Sequence, residues 1–223
     1  MPLANERTTQ WWPLVSGKRA DAVWAVIDEI LDQLARTPLH GPGLAGGHAG
    51  IALVYAYVGL CRRGTRASAW TLARHHLDEA ERGVDVLDPS LFTGASGIGW
   101  VSNHLDRRLS GASVEQDSLN HHLAIASRSP LRGGLDLTGG ATGLLLYAQA
   151  QAETKSARTL LEGLIDGVCL AQQQLGDGCW TTPASALEDI VRRDYPDGIL
   201  NLGLAHGVPG ALSVLSLGVW ISA

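Results

Sequence analysis

The chain is 223 residues long, 45% hydrophobic and 17% charged, with a formal net charge of −5 and a pI near 5.9. An acidic chain with no basic block is a poor match for a phosphate backbone, which argues against nucleic-acid binding. The longest apolar run, 49–60, falls well short of the ~20 residues a membrane helix needs, the N-terminus lacks a secretion signal's apolar segment, and three cysteines without a CxxC fit a reducing cytosol. The expectation is therefore one apolar-rich globular domain over residues 1–223, cytoplasmic and not membrane-spanning.

Glycine accounts for 27 of the 223 residues, against a typical ~7%. These glycines sit in short runs among apolar segments, so they serve turns rather than linkers. In chain order, the first predicted element is a helix with Val23, Ile27, Ile30 and Leu34 on one stripe and Asp21, Asp28 and Asp32 beside it. Gly47-His-Ala-Gly50 then leads into an apolar run over 51–58. Leu72, His76 and Ala80, flanked by Arg74, Glu79 and Glu81, predict a second helix with one polar side. Gly94-Ala-Ser-Gly97 opens onto Ile98-Gly-Trp-Val101, and Gly140-Ala-Thr-Gly143 onto the run 144–148. Ala157, Leu161, Leu164, Val168, Ala171 and Leu175 step by four and three along a third polar-sided helix. Gly207-Val-Pro-Gly210 opens the last apolar run, 211–217.

The four Gly-x-x-Gly turns form an internal repeat, their first glycines 47, 46 and 67 residues apart. Runs that are apolar nearly all round are predicted to be buried helices, because Ala52, Ala56 and Ala148 favour helix over strand. One outer and one inner helix per period describes a helical hairpin. A ring of such hairpins is an all-α, α/α toroid, with every Gly-x-x-Gly turn at one end, where small residues let helix ends converge.

His206 directly precedes the fourth turn. It is suited to general acid–base work near neutral pH, or simply to capping a helix or bonding a carbonyl. Asp136, four residues before the third turn's first glycine, is placed to orient a histidine, to hold a substrate amide, or to be a solvated turn residue. Gly94-Ala-Ser-Gly97-Ile-Gly99 loosely suggests a nucleotide loop, but no strand precedes it and no Lys-Ser/Thr follows. Adjacent histidines, His75–His76 and His121–His122, diverge by ~100° on a helix and cannot share a metal. His48 lies in the first turn without a partner that sequence can name. Cys61 and Cys169 read as buried structural thiols, and no Cys/His trio has zinc spacing.

The repeat turns Leu91-Phe-Thr-Gly-Ala-Ser-Gly97, Leu135-Asp-Leu-Thr-Gly-Gly-Ala-Thr-Gly143 and Asn201-Leu-Gly-Leu-Ala-His-Gly207 resemble those of the lanthionine synthetase C-like family, from about Gly41 onward. The resemblance implies a toroid of seven hairpins that closes thioether rings in lanthipeptide biosynthesis. In that family a zinc ion, held by a Trp-Cys-Tyr-Gly cysteine and a Cys-His-Gly pair, binds the peptide cysteine as thiolate for addition to dehydroalanine or dehydrobutyrine. It also implies that His206 is the acid/base residue and Asp136 the active-site aspartate, with a precursor peptide as partner.

Both zinc motifs are missing from this sequence, and Cys179-Trp180 has the reversed order in a loop. The expectation is an incomplete ring of about four repeats of seven, with no zinc bound and no activity alone. Such a chain is a truncated or frameshifted product or one piece of a split protein, completed by a C-terminal half or docked on a dehydratase. The alternative is a non-catalytic half-toroid that binds a precursor peptide or a modification enzyme. A toroidal glycan-active enzyme would need paired carboxylates at the mouth, and Asp136 alone does not supply them.

Overall fold

The computed structural model describes residues 14–62, 64–84, 87–110, 116–127, 134–175 and 180–219. It divides into two units, 1–38 and 39–223. The described part of the first is essentially α1 (Lys18–Leu34), which has Asp21 in its first turn and no buried residue. Val23 and Ile30, two of the predicted stripe, are about half exposed.

The second unit contains α2 (His48–Cys61), α3 (Arg66–Glu81), α4 (Ala95–Ser110), α5 (Asp117–Ala126), α6 (Ala141–Ala150), α7 (Lys155–Leu175), α8 (Asp189–Asp194) and α9 (Val208–Val219). Among the described residues there is no strand, only an isolated antiparallel bridge between Thr182 and Ile199. The helices following the Gly-x-x-Gly turns form an inner row, with α2 on α4, α4 on α6 and α6 on α9. Outside them α3 packs on α2, α5 on α4 and α7 on α6, and α5 touches α7. The second unit is thus a two-layered arc of helical hairpins.

One local device recurs at the start of each inner helix. The first helical N–H donates to a carbonyl seven residues earlier: His48 to Gly41 (3.0 Å), Ala95 to Asp88 (2.8 Å), Ala141 to Gly134 (2.8 Å) and Val208 to Asn201 (2.9 Å). Loop carbonyls therefore satisfy donors that elsewhere need a capping side chain, and α2 and α6 have no side-chain cap. The second glycine of each turn lies against the carbonyl of a leucine six residues before it. A Cβ there would stand 2.3 Å from Leu44 O at Gly50, 1.9 Å from Leu91 O at Gly97, and 2.1 Å from Leu137 O and Leu204 O at Gly143 and Gly210. The repeat is in full Leu-x-x-Gly-x-x-Gly. Leu44 and Leu91 also reach forward to Gly97 and Gly143 of the next repeat.

Backbone bonds stitch successive turns together. Ala45 N–H donates to Phe92 C=O (2.7 Å), Phe92 N–H to Thr138 C=O (3.1 Å) and Leu137 N–H to Ala205 C=O (2.8 Å). All four turns consequently share one end of the arc.

Three expectations about faces need correction. The α3 core stripe is Ala69, Ala73, Leu77 and Ala80, whereas Leu72 is exposed. The small side chains face Ala52, Ala56 and Gly59 on α2, where a Cβ at Gly59 would approach Ala69 Cβ to 3.0 Å. The helix therefore turns its alanines inward to bring the backbones close, and this displaces the leucine. Cys61 and Cys169 are exposed rather than buried. Cys61 is the last residue of α2, and Cys169 lies ~100° around α7 from buried Val168. Finally, the inner helices at the two ends of the row are not buried all round: Val54, Tyr57 and Leu60 on α2 and Leu212 and Leu217 on α9 are exposed, whereas α4 and α6 expose no large hydrophobic side chain among the described residues. Val214 is buried and Leu215 partly so, while the side chains of Val219 and Trp220 lie outside the described residues. Exposed leucines on Val208–Val219 favour association. A Leu212→Glu, Leu217→Glu chain is expected to sediment with a lower average mass at high concentration than the wild type, and equal masses would show that this face is inert.

Candidate active site

The residue just before the first glycine is Gly46, Thr93, Gly139 and His206 in the four repeats, and the residue four before it is Gly43, Ser90, Asp136 and Gly203. Only the fourth repeat carries a titratable group at one position, and only the third at the other. The stitching of the third turn to the fourth brings these two together. His206 Nδ1 lies 2.5 Å from Asp136 Oδ2, although 70 residues separate them.

The two oxygens of Asp136 do different work. Oδ1 accepts from Thr138 N–H (2.6 Å), Thr138 Oγ1–H (2.5 Å) and Gly139 N–H (2.9 Å), closing the turn before α6. Oδ2 is left for the histidine. Burial pushes the Asp136 carboxyl up, but the Thr138 hydroxyl, the Gly139 N–H, the His206 ring and the Thr138 N–H outweigh it and hold the carboxyl below its ordinary value. An ionised carboxylate only accepts, so His206 Nδ1 carries the proton and donates it. Nε2 is thereby left as the working nitrogen on a side chain that is 58% exposed, while Asp136 is only 19% exposed. An anchored carboxylate that fixes a histidine's tautomer and presents its other nitrogen is suited to proton transfer.

The pair forms part of a cleft of about 880 Å³. Thr138, Gly139 and Asn201 line it beside Asp136 and His206, and residues of the segment Thr182–Ile199 supply the rest of its lining. That segment holds the extra residues of the long third interval. It comprises a 3₁₀ turn, Ala184–Ala186, and α8, closed at its base by Thr182 N–H to Ile199 C=O and the reverse bond, each 2.9 Å. Gly198 has φ +94°, which an L side chain rarely adopts. Sequence spacing showed an insertion here but not that it lines the same cleft as His206.

A catalytic zinc needs three protein ligands. Among the described residues no group of three His, Cys, Asp or Glu side chains can hold a metal ion, and Cys179 lies outside them.

Two further histidine clusters escaped sequence reasoning. His48 Nδ1 and His76 Nδ1 are 3.1 Å apart, with Tyr55 stacked on His76. Tyr57 Oη lies 2.8 Å from His104 Nε2, and Trp100 stacks on His104 at 4.9 Å. Burial, then the His48 and His75 charges, lower the His76 pKa against an opposing pull from Glu79; burial, then Arg108, lowers that of His104. A lowered histidine pKa means that the unfolded chain binds more protons. Stability from these groups is therefore complete above the unfolded value near ~6.5 and declines as pH falls below it. The melting temperature is expected to fall between pH 7.5 and 5.5, and less steeply in His76→Phe and His104→Phe. Parallel slopes in all three chains would assign the acid sensitivity elsewhere.

Comparison with known proteins follows the repeat pattern. A family model described as lanthionine synthetase C-like protein matches residues 38–220. A solved structure named nisin cyclase superposes with a TM-score of 0.67 at 21% identity, over 90% of this chain and 52% of that one. The likeness shows a shared α/α-toroid fold, and this chain spans about half the length of that protein. A search of curated proteins by sequence gives no match.

Proposed function

The chain belongs to the lanthionine synthetase C-like family, and from that premise we propose that its cleft receives a dehydrated, cysteine-containing precursor peptide and that His206 moves the proton of thioether formation. The observation that carries this reading is the 2.5 Å contact between His206 Nδ1 and Asp136 Oδ2 beside an 880 Å³ cleft.

The reaction forms one C–S and one C–H bond at the expense of an S–H bond and a C=C π bond. The peptide cysteine sulfur adds to Cβ of a dehydroalanine or dehydrobutyrine, and the π pair moves onto Cα and its carbonyl as an enolate. His206, protonated at Nε2, delivers a proton to Cα. Asp136 holds the ring so that Nε2 faces the cleft, and its negative charge supports the imidazolium before transfer. The thiol must first lose its own proton, because a free cysteine is mostly neutral at pH 7. In the family zinc supplies that step. The zinc-ligand motifs of that chemistry do not occur within these 223 residues, so thiol activation is assigned to ligands outside them. The part proposed for this chain is therefore peptide docking and proton transfer, without ring closure by itself.

The test uses a short peptide containing one cysteine and one dehydroalanine, with free thiol counted by alkylation and mass spectrometry. The chain alone should bind the peptide and leave its thiol free, and ring closure should appear when a polypeptide bearing the zinc ligands is added. Ring closure by the chain alone, or failure to bind the peptide, would sink the proposal.

A further inference from the structure

The part of the cleft lined by the Thr182–Ile199 segment has a charge character that the proton-transfer chemistry does not use. The cleft is lined by three carboxylates, Asp136, Glu188 and Asp189, and by one guanidinium, Arg192. That guanidinium is already engaged. Its Nε donates to Ala184 C=O (2.8 Å), one terminal nitrogen to Leu187 C=O (2.6 Å), and the other faces Asp189 Oδ1 at 3.3 Å. Arg192 thus folds the Thr182–Ile199 segment onto itself and balances Asp189. Asp136 is occupied by His206 and its own turn.

Glu188 is different. It is exposed, and its carboxylate makes no ion pair among the described residues. Leu187, Val191 and Ile199 beside it give the same wall an apolar strip. An uncompensated carboxylate within a concave wall acts on a ligand more strongly than one on a convex surface, because the low-dielectric walls focus its field. An apolar strip ending in a carboxylate matches a long side chain with an aliphatic stem and a cationic head.

Resting on the reading of this cleft as a peptide groove, we propose that the Thr182–Ile199 segment is a specificity wall, which selects peptides carrying Lys or Arg beside the reacting cysteine, with Glu188 as the residue that pairs with the cation. The stem lies along Leu187 and Val191, and the head reaches Glu188. Peptides with an acidic residue at that place meet a net negative wall and are disfavoured.

Two peptides that differ only in Lys or Glu beside the cysteine, each end-labelled with the same neutral dye, test this by fluorescence anisotropy. The Lys peptide is expected to bind about tenfold tighter at low salt, with the gap narrowing as salt screens the pair. Glu188→Gln should remove most of the preference, and Glu188→Lys should invert it without changing the melting temperature. Equal affinities, or a Lys preference that survives Glu188→Lys, overturn the specificity wall and leave the peptide groove standing. Absence of binding by both peptides overturns the groove and this inference with it.

Discussion

Gly97→Ala is expected to lower stability by at least about 3 kcal/mol, while Gly163→Ala and Gly167→Ala each raise it by about 0.5–1 kcal/mol. All three replace a helical glycine by the best helix former, so propensity alone predicts stabilisation in every case. Packing reverses the sign at Gly97. A Cβ there would lie 1.9 Å from Leu91 O, 3.0 Å from Leu91 C and 3.2 Å from Leu44 Cβ. The first two are backbone atoms of a loop tied to the next turn by Phe92 N–H and Thr138 C=O, so no side chain can rotate aside. Relief requires moving the start of α4 away from its loop, and the bond from Ala95 N–H to Asp88 C=O is lost with it. Nothing lies within 4 Å of a Cβ at Gly163 or Gly167 on the outer helix. At about 2–4 °C per kcal/mol for a chain of this size, thermal melting separates the two groups by roughly 7 °C or more. Gly97→Ala melting at or above the wild-type temperature would show that the turn is not the rigid joint described here.

His206→Ala is expected to slow ring closure by about 10²–10⁴-fold in the assembly that contains the thiol-activating ligands, with peptide affinity unchanged. A residue that only moves a proton stabilises the transition state and not the bound peptide, so the loss belongs in kcat. Added imidazole should restore part of the rate, because the vacated space beside Asp136 opens on the cleft. Asp136→Asn should cost about 10²-fold or more, since an amide no longer forces the proton onto His206 Nδ1. It should also loosen the turn before α6, where Oδ1 accepts three hydrogen bonds. The two variants are thus distinguishable: His206→Ala melts like the wild type, and Asp136→Asn melts lower. A His206→Ala protein with wild-type kcat, or one whose only defect is weaker peptide binding, would remove the histidine from the chemistry.

The sequence by itself carried the repeat. Glycine turns and apolar runs recur at intervals of 47 and 46 residues because each hairpin must satisfy the same local demands. Those demands are close backbone approach at a helix start and an apolar surface behind it, and both are written in neighbouring residues. The long interval of 67 residues announced an insertion, and two titratable residues at turn positions occupied by Gly, Ser or Thr in the other repeats marked Asp136 and His206. Their contact was another matter. It spans 70 residues and depends on the backbone bond from Leu137 to Ala205 that sets one turn against the next, a relation no local pattern encodes. The same holds for His48 and His76, 28 residues apart on α2 and α3. Their meeting follows from the close approach of those helices over alanine and glycine, the packing that also turned Leu72 outward and Ala73 inward. Hydrophobic periodicity identifies which side chains prefer burial, but the separation and rotation of packed helices decide which of them obtain it. Tertiary structure alone placed Glu188 on the wall of the cleft and left it without an ion pair among the described residues, because Arg192, the one cation among the residues lining the cleft, is turned by its three acceptors back into its own segment.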